Sequence, residues 1–243
     1  MPALNQLASE PIRSRLLYEM TSGVYAECSR LPRESVLAQE LGISRTQLRD
    51  SLSQLEREGF ITRRHGVGTI INRPVLEIPV RMDIETEFLE LVRDSGFTPA
   101  LAWTRAQSVP ASPLVAERLQ LPADSPVLRV ARLITGDGRG AIFCYDYIDC
   151  GRIQDHSYTQ DAFNLPIFSF LKQYCGLEPI LDITQLSPCL AAGEPAEALA
   201  VAEGQPLLYM DEVDYDLKGQ PILYCQEYYA ADIVKHMLIR KKF

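Results

Sequence analysis

The second half of the chain is written twice. Ala116-Glu117-Arg118-Leu119, with Leu121, Pro126 and Leu128 after it, returns 80 positions later as Ala196-Glu197-Ala198-Leu199 with Val201, Pro206 and Leu208. Each copy reads as a helix, a short turn and a β-hairpin: 127–134 with 141–148, then 207–215 with 221–229. Gly136-Asp137-Gly138-Arg139-Gly140 and Leu217-Lys218-Gly219-Gln220 supply the hairpin turns. Two related hairpins imply one antiparallel sheet with helices packed on one face. The glycine-rich Gly136–Gly140 run lacks the strand-to-helix setting and the lysine of a phosphate-binding loop, so it reads as a turn.

The 243 residues are 47% hydrophobic and 23% charged with a mean hydropathy of -0.06, a globular composition. No apolar run approaches the roughly 18 residues of a membrane span, and the N-terminus lacks a basic start followed by an apolar stretch. A cytoplasmic protein with no membrane partner is expected. Six cysteines occur without a C-x-x-C pair and with only three histidines, so free thiols are expected rather than a disulfide framework, a metal site or a cofactor.

The net charge of -8 is unevenly spread. Residues 10–73 hold ten Arg, no Lys and eight acids, giving +2, whereas the remainder holds 14 basic and 24 acidic residues, giving -10. Arginine suits planar, bidentate contacts with phosphate and guanine, which marks 10–73 as the nucleic-acid face. The pattern there agrees. Ile12, Leu16, Met20 and Val24 recur every four residues, predicting a first helix that ends near Gly23 to Tyr25. A second helix follows Leu31-Pro32, with Val36, Leu37 and Leu41 as its apolar side and Gly42 as its left-handed stop. Ser44 opens a third with Gln47 in capping-box position, and Leu48, Leu52 and Leu55 form its stripe. Helix, short turn and helix make a helix-turn-helix. Residues 60–64 and 69–72 then predict a two-stranded wing, with Arg63, Arg64 and His65 at its tip. Arg45 and Arg49, one turn apart beside the leucine stripe, are candidate base readers; Ser44 and Gln47 are explained by the cap as well as by contact with DNA.

The run from Leu31 to Arg73 resembles the DNA-binding domain of the GntR family. That resemblance implies DNA contacts at Arg45, Thr46, Gln47 and Arg49, at Arg33 opening the second helix, and at His65 and Gly66 in the wing. Ser35 stands where the family usually has arginine, and Cys28-Ser29 where it has glycine. A proline near each end of 74–79 predicts an extended linker. The expected organisation is therefore α+β: a winged helix-turn-helix at 10–73, the linker, and an effector-binding and dimerising domain at 80–243.

The second hairpin and the text before it are similar to the UTRA effector domain of the HutC subfamily, whose fold is related to chorismate lyase. The resemblance implies a ligand cleft, a homodimer and a palindromic double-stranded operator. Members that bind sugar phosphates carry arginines, glutamates, a serine and a tyrosine in the cleft; here Arg132 is kept while Ile134, Cys144, Pro166, Phe168 and Leu223 take the other places, with Tyr224 and Tyr229 remaining. An apolar or singly anionic effector, its carboxylate held by Arg132, is the reading this supports. The alternative is a filled core with Arg132 paired to an acid such as Asp146. Two other functions are alternatives: a redox regulator using Cys144 or Cys225, and an enzyme of the lyase-like fold, for which no nucleophile with its base or paired carboxylates emerge.

Overall fold

The structure, a computed structural model, describes residues 3–240, with side chains described from residue 11 onward. It divides into two compact units: one runs to Asp83 and takes in the segment from Met237, and the other is Ile84–His236.

In the first unit α1 (Ala3–Thr21), α2 (Glu34–Leu41) and α3 (Arg45–Arg57) precede a hairpin of β1 (Ile61–Arg64) and β2 (Gly68–Ile71). Leu16, Met20, Leu37, Leu48, Leu52, Leu55 and Ile61, each no more than 1% exposed, are its core, so the leucine stripe of α3 does face inward. Two expectations shift. α1 stops at Thr21, leaving Val24 75% exposed, and the next residue, Tyr25, fills the buried place and donates to Glu40 at 2.5 Å. On α2, Leu37 and Ala38 are buried and Val36 is exposed. Gly42 takes φ 70°, and the Ser44–Gln47 capping box is closed in both directions. Where an extended linker was expected, Arg73–Leu76 forms a helical turn, α4; Pro74 is compatible because the first turn needs no N–H.

The second unit contains α5 (Phe88–Asp94), β3 (Pro99–Pro110), α6 (Pro113–Leu119), β4 (Pro126–Gly136), β5 (Arg139–Asp149), α7 (Ile167–Phe170), β6 (Leu181–Leu190), α8 (Gly193–Leu199), β7 (Pro206–Tyr215) and β8 (Pro221–Tyr229). All six strands form one antiparallel sheet in the order β3-β4-β5-β8-β7-β6. The repeat thus includes a strand the sequence pattern did not reveal: β3-α6-β4-β5 matches β6-α8-β7-β8, and the sheet reads alike from both edges. Leu119 and Leu199 are buried at the ends of α6 and α8, and Gln120 and Ala200 after them both take φ 54°.

Helices cover both faces of the sheet, not one. α6 and α8 pack on the first, against Val127, Tyr147 and Val213 and against Ala131, Phe143 and Leu207. On the second, a 3-10 turn at Gln160–Asn164, α7 and its π-helical continuation Leu171–Cys175 bury Phe163, Ile167, Phe170 and Leu171 against Leu128, Val130 and Ile148. These short elements have too few turns to leave a helical period in the sequence, which is why the second layer was missed.

Where β5 begins, α8 comes very close: a Cβ on Gly140 would stand 2.6 Å from the backbone of Leu199. Gly140→Ala is therefore expected to push α8 off the sheet and cost about 1–3 kcal/mol. Denaturant titration should show it, and a midpoint unchanged from wild type would contradict the packing.

Candidate nucleic-acid interface and effector face

On the first unit, the capping box sets the start of α3. Ser44 Oγ accepts from the Gln47 backbone N–H at 3.3 Å, and the Gln47 side-chain oxygen accepts from Ser44 N at 3.1 Å. That oxygen also accepts from Ser44 Oγ, so the carbonyl end of Gln47 is engaged in the cap. Ser44, Arg45, Thr46, Gln47 and Arg49 are all exposed along the first turns of α3. Arg45 projects from the first helical position. Arg49 is tied across to α2, its Nε 2.7 Å from Glu34, and would have to exchange that partner to reach a base.

The wing differs from expectation in one respect. Arg63 is drawn back onto α3 by Glu56 at 2.7 Å and by Ser53 at 3.0 Å, so it is not a tip residue. Arg64, His65 and Gly66 form the exposed tip. Sequence reasoning also missed Arg30. Leu31 N donates to Thr69 O, Ile71 N donates to Ser29 O, and Arg30 reaches Val67 O at 3.1 Å, so this segment joins the wing as a third strand-like edge. Between it and the wing lies a groove of about 730 Å³ lined by Arg30, Arg33, Arg63, Arg64 and His65. The departure from glycine at Cys28-Ser29 leads directly into this edge.

On the second unit, residue parity decides which side chains meet, because alternate residues of a strand share a face. Arg132, Ile134, Cys144, Leu223 and Tyr229 fall together on the α7 face. Phe168, on α7, packs against the same side. Tyr224 does not join them. It lies on the opposite face, stacked on Tyr147 with ring centroids 5.6 Å apart, and donates to Asp211 at 3.0 Å.

Arg132 is not a free cation. Only 5% exposed, it is held by Asp146, itself 1% exposed, through Nε at 3.0 Å and a second nitrogen at 2.5 Å. The expectation that Arg132 holds an effector carboxylate is corrected on this point: its charge is already matched. The other charged groups on the face are acids. One row across the sheet runs Asp146, Cys225, Glu212, Thr184, and the next carries Leu223, Asp214, Asp182. Glu227 lies beside Cys144 and accepts from Tyr229 OH at 2.5 Å. Burial pushes the carboxyls of Glu212 up to about 7 and Asp214 up to about 9, and Glu227 well above the usual range.

Cys144 and Cys225 lack the setting of a redox sensor. Cys144 and Cys225 are 0% and 3% exposed, and burial with Asp146 nearby raises both well above the ordinary thiol value, the reverse of what a redox cysteine needs. Among the described residues only Glu212, Cys225 and Glu227 bring three ligand-type atoms within 4.8 Å of one another. The Cys225 thiol donates to Asp146 at 3.2 Å and stays protonated, so the trio is a poor metal site.

A winged helix-turn-helix joined to a twice-repeated sheet domain defines a DNA-binding regulator with an effector domain. Comparison with known proteins gives the family. Residues 94–235 match the UTRA domain and residues 8–71 the gntR family of bacterial regulatory proteins; the chain belongs to the UTRA-containing regulators of that family and is a transcription regulator. It is 27% identical to the HTH-type transcriptional regulator YurK of Bacillus subtilis over 91% of this chain and 92% of that one. It is 23% identical to the HTH-type transcriptional repressor NagR of the same organism, over 91% and 89%. In fold it is similar to the crystal structure of the possible transcriptional regulator YydK of B. subtilis, with TM-score 0.76 and 18% identity over 96% and 99% of the two chains. No helix among the described residues is long and apolar enough to cross a membrane.

Proposed function

We propose that residues 10–73 dock α3 in the major groove of a palindromic operator, that residues 80–243 dimerise the protein and bind a small effector on the α7 face, and that the protein acts as a repressor in the cytoplasm without enzymatic activity. The observation that carries the DNA half is the exposed, capped start of α3 beside the arginine-lined groove of the wing. Arg45, Thr46 and Gln47 are the base-reading set; Arg49 joins it by leaving Glu34. Arg30, Arg33, Arg64, His65 and Gly66 meet phosphate or the minor-groove edge. Effector binding shifts the population of dimers whose recognition helices lie one duplex turn apart, about 34 Å.

The test uses a duplex selected by the wild-type protein from a random pool. Arg45→Ala is expected to weaken binding about tenfold or more and to relax preference at one position in each half-site. Arg64→Ala should weaken all sequences alike and lower the salt dependence by about one counterion. If both variants bind like wild type at fixed salt, this docking is wrong.

A further inference from the structure

The two halves of the sheet place different charges at corresponding positions. Arg132 on β4 corresponds to Glu212 on β7, 80 residues later, while Cys144 and Asp146 on β5 correspond to Cys225 and Glu227 on β8, 81 later. In the first half a guanidinium lies on Asp146. In the second half two carboxylates occupy the matching places. No ion pair among the described residues reaches Asp182, Glu212, Asp214 or Glu227.

Asp214 makes the case sharper. It is 0% exposed, it shares the face of Glu212 two residues before it, and neither of its carboxylate oxygens has a hydrogen-bond partner. A buried polar group without a partner is costly, and a carboxylate more so than a neutral group. Nearby, Thr184 Oγ1 lies 2.8 Å from Asp182 and 2.6 Å from Glu212. One hydroxyl has one proton, so it serves only one of these acceptors; the other contact needs a proton on a carboxyl. Glu85 and Glu87, exposed on the segment entering α5, add to the negative field over Asp214 and Arg132.

We infer that the effector of this regulator carries an organic cation, an ammonium or guanidinium group, seated between Asp214, Glu212, Glu227 and Asp182 as the guanidinium of Arg132 is seated on Asp146. The inference rests on the reading that the α7 face is the effector site. It favours an organic cation over a metal ion because Asp214 and Asp182 stand outside the one close trio, whose thiol is protonated. Carboxylates spread along two rows suit a group with several directed N–H donors. The raised values of Glu212 and Asp214 agree: without a cation these carboxyls hold protons instead.

Thermal denaturation of the 243-residue chain, followed by the fluorescence of Trp103, tests this with four probe sets: putrescine and agmatine; 1,4-butanediol as the neutral control; glucosamine 6-phosphate and benzoate; and zinc and manganese chlorides. Putrescine or agmatine is expected to raise Tm, with at least tenfold weaker apparent binding in Asp214→Asn and no shift in Thr184→Arg, which supplies its own cation at the rim. Ligand-free Tm of each variant separates lost binding from lost fold, and Glu227→Gln repeats the test should Asp214→Asn fail to fold. A shift with the anions, abolished by Thr184→Arg but kept in Asp214→Asn, overturns the cation and leaves the effector face standing. A shift that neither variant alters overturns the face itself. Silence of both amines, or a response to the metals alone, also overturns the inference.

Discussion

Asp146→Ala is expected to lower the stability of the sheet domain by about 3–5 kcal/mol, because it leaves Arg132 as an uncompensated buried charge. The guanidinium would keep a 3.5 Å contact with the Leu165 carbonyl, the ring of Phe88 at 5.9 Å and the field of Glu87, which makes no ion pair with it, and none of these replaces a carboxylate in direct contact. Cys225 would lose the acceptor of its thiol proton as well. The loss is a property of the broken pair rather than of the pair's own worth, so Arg132→Met combined with Asp146→Leu should recover most of it. Urea titration of the single, double and wild-type chains, read at Trp103, separates these cases. Trp103 is the one tryptophan and packs on Phe143 with centroids 6.0 Å apart, which makes its signal specific to this unit. A single variant within about 1 kcal/mol of wild type would mean that Arg132 reaches water or another anion.

The DNA-binding half was legible because its signals are local. A capping box spans four residues, Gly42 stops one helix, and three leucines at helical spacing give the buried stripe of the next. The contacts that redistribute its arginines are not local: Glu34 takes Arg49 across 15 residues, and Arg30 meets the wing across 37. Nothing in the spacing of either residue announces its partner.

In the sheet domain the hairpins were readable and their edge strands were not, since β3 and β6 hold no fully buried residue, and on β6 the apolar residues Leu181, Ile183, Leu186 and Leu190 are exposed ones. Leu223 and Tyr224 are neighbours in a strand and cannot share a face, and the run Asp211, Glu212, Asp214 already puts two acids on one side of β7. What no sequence pattern could supply was the order of strands, which brings Glu212 and Glu227 to the same face as Arg132 and Asp146.

Between about pH 6.5 and about pH 8 the sheet domain should lose stability as pH rises, where a domain held by surface ion pairs of carboxylates with Lys or Arg would be flat. Asp214 has its value raised from 3.8 to about 9, chiefly by burial and next by Glu212. The folded protein therefore keeps a proton that the unfolded chain has released. Its contribution is complete below the ordinary carboxylate range and disappears as pH climbs through the folded value. His236 works in the other direction: burial lowers it from 6.5 to about 4, so it favours the folded state as pH rises, but only until about 6.5. Above that only the carboxyls titrate, and the upper limit stays below the ordinary thiol range of Cys144 and Cys225. Each retained proton gives a slope of about 1.4 kcal/mol per pH unit, so Asp214 accounts for roughly 2 kcal/mol across the window, and Glu227, raised by its burial and by Glu212, acts in the same direction. Asp214→Asn should remove about 2 kcal/mol of the fall across the window and gain stability over wild type at the alkaline end. Denaturant midpoints at three pH values decide the matter: a flat wild-type curve would mean that Asp214 is ionised in the fold, and a variant as steep as wild type would assign the proton to Glu212 or Glu227 instead.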